Sequence, residues 1–261
     1  MGTAGMHGEL WGARARDWAD VQESSVAAVY EAVLRKLHVG PDSMVLDVGC
    51  GAGLFCALAA QLGATIKGLD AAQGLIEIAR ERVPQGDFRV GEMEKLPFAS
   101  QTFDVVTGFN SFQFAANPVN ALSEARRVAR AGAPVVITVW GKAEDCDAAA
   151  CLGAVATLLP APPPGTPGPF ALSEEGALEA LVSEAGLTPM ESEEVDTLWQ
   201  YPDEETALRG LLSAGTAARA IRSVGEQRAR ETVRDALIPF KTSSGGYELS
   251  NRFRYLIAVS E

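Results

Sequence analysis

The sequence predicts an α/β fold, a mostly parallel sheet covered by helices on both faces. Short apolar runs alternate with helical patterns from Met44 to Trp140, which is how strands and crossover helices read in a chain. The first of these runs leads into a glycine-rich turn, Gly49-Cys50-Gly51-Ala52-Gly53, that opens a helix. With 261 residues, 47% apolar and 21% charged, the chain has the profile of a folded globular protein. It is long enough for one substantial core carrying insertions.

Residues 1–23 are glycine-rich and polar, with two tryptophans, Trp11 and Trp18. Ser24 or Ser25 is placed to cap a helix whose apolar stripe is Val26, Val29, Tyr30, Val33, Leu34 and Leu37, and Gly40 and Pro41 end it. Strands are expected over Met44 to Val48, Thr65 to Leu69, Phe88 to Val90, Phe103 to Phe109 and Pro134 to Trp140. Helices start at Leu54, Ala72 and Pro118. The third has Asn117 as its cap, proline at its first position and Val119, Leu122, Ala125 and Val128 facing inward.

An alanine-rich stretch then reaches Leu159, and the proline-rich segment from Pro160 to Phe170 reads as a loop over the sheet's edge. Ser173 is expected to cap a helix to Ala185 that Gly186 terminates, followed by a strand from Met190 to Gln200. Asp203 to Phe240 is helical in pieces interrupted at Gly215 and Gly225. These helices break the sheet pattern and form a cap. A turn at Gly245-Gly246 precedes a last strand from Phe253 to Val259.

With 22 basic against 34 acidic residues the net charge is −12, which argues against nucleic acid and other phosphate-rich partners. Arg126, Arg127 and Arg130 fall in a helical pattern and read as a solvated face. No apolar run reaches the roughly 18 residues that span a bilayer, and Met1 to Glu9 lacks the features of a signal peptide. A cytoplasmic protein without membrane insertion is therefore expected. Cys50, Cys56, Cys146 and Cys151 match no zinc spacing and the chain has two histidines, so no metal is expected. The cysteines read as small apolar fillers, with Cys50 close enough to the glycine turn to lie near a ligand.

In Val45-Leu46-Asp47-Val48-Gly49-Cys50-Gly51-Ala52-Gly53 an apolar strand runs into a turn whose glycines let the backbone approach a ligand. Asp47 precedes the first glycine, and Asp70 ends the next strand at about the 20-residue offset where a carboxylate grips ribose hydroxyls. Together they point to an adenosine-bearing cofactor. Dinucleotide-binding proteins carry a further glycine where this chain has Leu54, which disfavours a nicotinamide-dependent oxidoreductase.

The stretch Asp47 to Gly53 resembles the signature of class I S-adenosylmethionine-dependent methyltransferases, of the small-molecule, ubiquinone/menaquinone-methyltransferase-like type. Gly91-Glu92-Met93-Glu94-Lys95-Leu96-Pro97-Phe98 resembles the family's Gly-Asp-Ala-x-x-Leu-Pro-Phe, and Phe103-Asp104-Val105-Val106 resembles its fourth strand. The resemblance covers residues 42–141. It implies a Rossmann-like three-layer αβα sandwich, with a mostly parallel seven-stranded sheet whose last strand is antiparallel.

It also implies roles. Gly49 and Gly51, with Cys50 and Gly53 in the same turn, would face the methionine part of S-adenosylmethionine, and Asp47 would help orient its ammonium. Asp70, with Ala71 beside it, would take the ribose hydroxyls. Glu92 would meet the adenine amino group and Met93 would pack on the ring. Asn110 and Trp18 join the expected cofactor set. Leu96-Pro97-Phe98 is either a structural turn or a ligand contact.

Phe109-Asn110-Ser111-Phe112-Gln113-Phe114 places a Gln-aromatic pair where many members carry paired histidines. The pair resembles members that methylate carboxylates, including the trans-aconitate and malonyl-carrier-protein enzymes. The Asn-Pro-Pro-aromatic motif of amide and base methylation is absent. Methyl transfer from a sulfonium is a direct displacement that alignment and water exclusion accelerate without a dedicated catalytic group. Should a base be needed, His7 is the candidate, the other reading being a flexible terminus; His38 sits at a helix end. Trp11, Phe112, Gln113, Phe114, Trp140 and Trp199, with Tyr201, are candidates for an acceptor pocket or for ordinary core.

The expected organisation is a single methyltransferase domain. Residues 1–41 are a cap segment, 42–141 the cofactor-binding core, 142–172 a lid insertion, 173–200 and 248–261 the rest of the sheet, and 201–247 a helical cap insertion. The expected activity is methyl transfer to an O, N or C atom of a small-molecule acceptor, yielding S-adenosylhomocysteine. The alternative is a cofactor-binding protein with another reaction, such as cyclisation or decarboxylation, or with none.

Overall fold

Val45 and Leu46 are adjacent in sequence, fully buried, and packed into different apolar clusters, because a strand sends successive side chains to opposite faces of a sheet. The same division recurs at Val105 and Val106, Val135 and Val136, and Leu256 and Ile257. A sheet apolar on both faces requires helices on both. The computed structural model describes residues 2–163 and 166–260; Pro164 and Gly165 of the expected proline-rich loop lie outside them, as do Met1 and Glu261.

The elements are α1 (Ala4–Gly12), α2 (Ala15–Asp17), α3 (Ala27–Lys36), β1 (Met44–Val48), α4 (Leu54–Gln61), β2 (Thr65–Asp70), α5 (Gln73–Arg82), β3 (Asp87–Val90) and β4 (Val105–Phe109). They continue as α6 (Pro118–Val128), β5 (Pro134–Trp140), α7 (Ala148–Ala156), α8 (Ala177–Glu184), β6 (Thr188–Tyr201), α9 (Glu204–Leu211), α10 (Gly215–Val224), α11 (Glu226–Leu237) and β7 (Tyr247–Val259). The strands form one seven-stranded sheet in the order β3-β2-β1-β4-β5-β7-β6. β7 is antiparallel to both β5 and β6, and the pairs among β1 to β5 are parallel. This is the predicted three-layer sandwich. Helices α3, α4 and α5 supply one layer through Val33, Phe55 and Ile76, and α6 and α8 supply the other through Leu122 and Val182.

The chain winds outward from β1 in both directions, so a crevice opens where β1 and β4 diverge at their carboxyl ends. The β6–β7 ribbon extends that crevice. β5 pairs with β7 only as far as Trp140 opposite Phe253, whereas β6 pairs with β7 on to Tyr201 opposite Tyr247. The overhanging half of the ribbon packs with α7, α9, α10 and α11 in a third apolar cluster that includes Trp199, Leu208, Val233 and Leu249.

Several local expectations are corrected. Ser24 and Ser25 do not cap α3: a π-helical turn over Trp18–Gln22 and a 3-10 turn over Glu23–Val26 precede it, and the Ser25 hydroxyl donates to the Gln22 carbonyl at 2.5 Å. Ser173 does not cap α8, which starts after Gly176 in a left-handed conformation (φ 75°). The alanine-rich stretch contains helix α7, whose first amide is held from a distance, Ala148 N donating to Asn251 Oδ1 at 2.9 Å. The break expected at Gly215 falls just before it, between the end of α9 at Leu211 and the start of α10 at Gly215. The last strand starts at Tyr247, since Asn251 is a polar residue on its buried face and conceals the alternation. The Asn117 cap is present, accepting from Asn120 N at 3.2 Å. No helix among the described residues is long and apolar enough to cross a membrane.

Candidate functional site

The turn after β1 takes backbone angles that a side chain resists: Gly49, Gly51 and Gly53 have φ of 76°, 54° and 81°, in the left-handed region open to glycine. A Cβ on Gly49 would lie 2.4 Å from Ser111 Cβ, so that glycine also lets the β1 and β4 turns touch. The Gly51 amide donates to Asp70 at 2.9 Å and the Ala72 amide to its other oxygen at 2.8 Å. Burial pushes the Asp70 carboxyl up and these amides oppose the shift. Asn110, just beyond β4, is a non-glycine residue at φ 51°.

Gly49, Gly51, Asp70, Asn110 and Ser111 share the wall of one cavity of about 750 Å³, within the size range of small-molecule sites. Of the expected cofactor residues, Gly49, Gly51, Asp70, Ala71, Glu92, Met93, Asn110 and Trp18 line it. His7, Trp11, Gln113, Phe114, Trp140 and Trp199 line it as well. Residues far apart in sequence thus meet at one place.

Asp47, Cys50 and Gly53 do not line it. The Asp47 carboxyl is 2% exposed and accepts from the Thr107 hydroxyl at 2.8 Å and the Cys56 thiol at 3.9 Å. Burial raises it from 3.8 to about 7. It braces β1 against β4. Cys50 turns toward Gly68, where an added Cβ would meet its sulfur at 2.9 Å. Gly53 lets α4 approach α5, an added Cβ falling 2.9 Å from Ala79 Cβ. Phe112 is 1% exposed and belongs to the sheet core, and Tyr201 is buried with its hydroxyl donating to Gln22 Oε1 at 2.8 Å. Leu96 and Phe98 are core residues, so their segment is a structural turn.

The amino-terminal segment covers the cavity. On α1, Gly8 packs so closely on Ala71 that a Cβ would be 2.3 Å from its carbonyl oxygen. Ala4 N donates to Glu92 Oε2 at 3.0 Å and Thr3 Oγ1 to the Phe114 carbonyl at 3.0 Å. The His7 ring lies 5.5 Å from that of Phe114. Burial pushes the His7 imidazole below its usual value, against the pull of Glu92.

Sequence reasoning missed Ser111, whose hydroxyl donates to the Val48 carbonyl at 2.6 Å. It also missed Glu23, which is 2% exposed, pairs with Arg82, and sits beside Gly51. No local pattern marks a long-range partner of that kind. The far wall, including Leu152, Val155, Leu211 and Val233, comes from helices whose apolar stripes read as ordinary core.

Residues 46–137 match the family described as "Methyltransferase domain". The chain carries a methyltransferase domain. The matched domain and the fold imply the use of S-adenosylmethionine. A ubiquinone biosynthesis O-methyltransferase of Ruegeria sp. (strain TM1040) is 30% identical over 151 residues, 56% of this chain. The match spans 61% of that relative, so this chain covers about three fifths of its length. A structure described as "Conversion of a Disulfide Bond into a Thioacetal Group during Echinomycin Biosynthesis" superposes with a TM-score of 0.60 at 19% identity, covering 97% of this chain and 93% of the other. The [4+2]-cyclase SpnF superposes with a TM-score of 0.57 at 19% identity, over 89% and 80%. Both likenesses show the fold.

The methyltransferase domain fits a nucleoside-bearing cofactor on two observations. Two glycines in left-handed conformations leave open backbone on the cavity wall. Beside them the Trp18 indole N–H is buried and has no partner among the described residues, and an added Cβ on Gly51 would lie 3.5 Å from it. Buried donors without partners are rare in native structures and point to a missing acceptor.

Proposed function

We propose that this chain moves a methyl group from S-adenosylmethionine to an O, N or C atom of a small molecule. The observation that carries the reading is the convergence of Gly49, Gly51, Asp70 and the unpartnered Trp18 indole on one cavity. When bound, the cofactor supplies an electrophilic methyl on a sulfonium, which an acceptor takes by direct displacement.

Gly49 and Gly51 leave room for the amino-acid end of the cofactor, and Trp18 closes over it with an aromatic face, which favours a nearby cation. Asp70 has lone pairs beyond the two amides it already accepts from and offers them to ribose hydroxyls. Met93 packs against the base. Glu92 is the adenine partner in this reading, although it also accepts from Ala4 N. By holding α1 across Ala71 and Phe114, the amino-terminal segment keeps water from the reacting atoms. His7 faces the same space, uncharged at neutral pH because burial lowers it, and is placed to take a proton from an acceptor that must lose one.

The partition into cap segment 1–41, core 42–141, lid 142–172, remaining sheet and helical cap 201–247 is part of the proposal. Support comes from the third apolar cluster, where the lid's Cys151 and the cap's Val233 pack together.

Calorimetric titration with S-adenosylhomocysteine, and separately with NADH, tests the cofactor. Micromolar binding of the first alone is expected. Binding of NADH alone would overturn the reading, and tight cofactor binding without methyl transfer to any of a broad acceptor panel would return the cyclase-like alternative.

A further inference from the structure

Glu92 joins the cavity wall to the start of the chain. Its Oε2 accepts from Ala4 N at 3.0 Å, while among the described residues its Oε1 accepts only a long bond, from Glu94 N at 3.4 Å. The side chain is half-buried and lines the cavity. A Cβ on Gly2 would strike its carboxylate, so the backbone passes directly over Glu92 before α1 begins.

α1 is a weak helix by itself. Its nine residues include Gly5, Gly8 and Gly12, and Leu10 alone among them is buried. Glycine is unfavourable in a helix relative to alanine, and a helix this short is marginal in water. The first turn holds no acidic residue and Thr3 at the N-cap makes no side-chain cap, because its hydroxyl donates to the Phe114 carbonyl at 3.0 Å. A helix start needs acceptors for its free amides and favours negative charge beside them. Glu92 supplies both from another part of the fold. His7 and Trp11 ride on α1 and line the cavity, so they stand there only while the helix is formed and docked.

Resting on the methyl-transfer reading for its cofactor, we propose that Glu92 is a positioning residue that caps α1 from within the cofactor site. Filling the base subsite and folding the amino-terminal segment over it are then one coupled event. A carboxylate has lone pairs for both partners: Oε2 holds Ala4 N while Oε1 takes the amino group of the base. Each bond fixes the side chain in the rotamer that the other needs. The coupling is reciprocal, so whatever stability α1 gains from bound cofactor, the cofactor gains in affinity from docked α1.

Amide hydrogen exchange over α1, read by mass spectrometry on the full chain, tests the link. Glu92→Asp shortens the side chain by one methylene and withdraws the carboxylate from Ala4 N. Glu92→Gln keeps an oxygen for Ala4 N and turns a donor toward the base. Without ligand, α1 is expected to exchange about fivefold faster in Glu92→Asp, as for the loss of one helix cap, and close to the unaltered rate in Glu92→Gln. Exchange in the sheet should not change in either. Saturating S-adenosylhomocysteine is expected to slow α1 exchange by about tenfold or more in the unaltered chain, and by clearly less in Glu92→Asp. Four results would each overturn the proposal: α1 exchange in Glu92→Asp equal to that of the unaltered chain, equal acceleration in the two variants, acceleration spread evenly over the sheet, or equal slowing by S-adenosylhomocysteine in Glu92→Asp and the unaltered chain. The ligand-free comparison does not depend on the cofactor. If S-adenosylhomocysteine does not bind the unaltered chain, the methyl-transfer reading fails instead, so the two failures are distinguishable.

Discussion

The Gly51 amide donates to the Asp70 carboxylate at 2.9 Å, closing the turn after β1 from the end of β2. The residue proposed to hold ribose also shapes the loop beside it. Asp70→Ala removes an acceptor from two backbone donors and is expected to weaken S-adenosylhomocysteine binding by about 1–3 kcal/mol. Asp70→Asn keeps an oxygen for Ala72 N and turns a donor toward Gly51 N, so its affinity should also fall while more of the thermal stability is retained. Calorimetry with a melting curve separates the two effects, and full affinity in both variants would place the ribose elsewhere.

Gly49→Ala tests the approach of the two turns. At φ 76° alanine meets the left-handed penalty, and its Cβ would stand 2.4 Å from Ser111 Cβ. The conformational part costs about 1–2 kcal/mol and the contact adds to it. Combining Gly49→Ala with Ser111→Gly should recover the steric part of the lost stability and leave the conformational part. Equal melting temperatures for the single and double variants would contradict this division.

Asp47 gives a pH dependence of definite sign. Its folded carboxyl holds a proton to about pH 7 whereas the ordinary value is 3.8, so the native state binds more protons between them. The contribution is complete below about 3.8 and is lost as pH rises to about 7, amounting to on the order of 4 kcal/mol. Denaturation measured across this window should show stability declining with pH, and Asp47→Asn should flatten the decline. An unchanged slope in that variant would assign the effect to another group.

Arg82 reaches Glu23, the Ala19 carbonyl at 2.8 Å and the Ala52 carbonyl at 3.0 Å, joining the amino-terminal segment to the glycine turn. Burial raises the Glu23 carboxyl and Arg82 opposes the rise. Arg82→Met leaves a buried carboxyl unpaired and is expected to cost about 3 kcal/mol, whereas adding Glu23→Leu should return much of that loss. Chemical denaturation of the single and double variants measures both.

Among the described residues three ion pairs tie the amino-terminal segment to α9, α10 and α11: Arg14 with Glu226 at 2.7 Å, Asp17 with Arg209 at 2.8 Å and Glu9 with Arg222 at 3.1 Å. Such exposed pairs are worth less than about 1 kcal/mol each and are screened by salt. Arg209→Gln should therefore shift the melting temperature little and speed amide hydrogen exchange in α1. Global destabilisation without local exchange would mean the segment is held by its apolar contacts alone.

Five parallel strands, the turn at Gly49 to Gly53 and the carboxylate at Asp70 were legible in the sequence because each depends on residues close together in the chain. Period-two burial, glycine at positive φ and a strand-end acid leave local marks. Asp47 carried the same mark as Asp70, yet tertiary packing turned it toward Thr107 and Cys56. Phe112 and Phe114 are two residues apart, and only the 3-10 turn over Phe112–Phe114 sends one into the core and the other to the cavity. The sequence by itself determined the sandwich and the glycine turn and Asp70 at the end of the cavity proposed for the cofactor. The tertiary structure decided the opposite, apolar end of the cavity, because its wall joins α7, α11 and the β6–β7 overhang through apolar contacts that no spacing in the chain encodes.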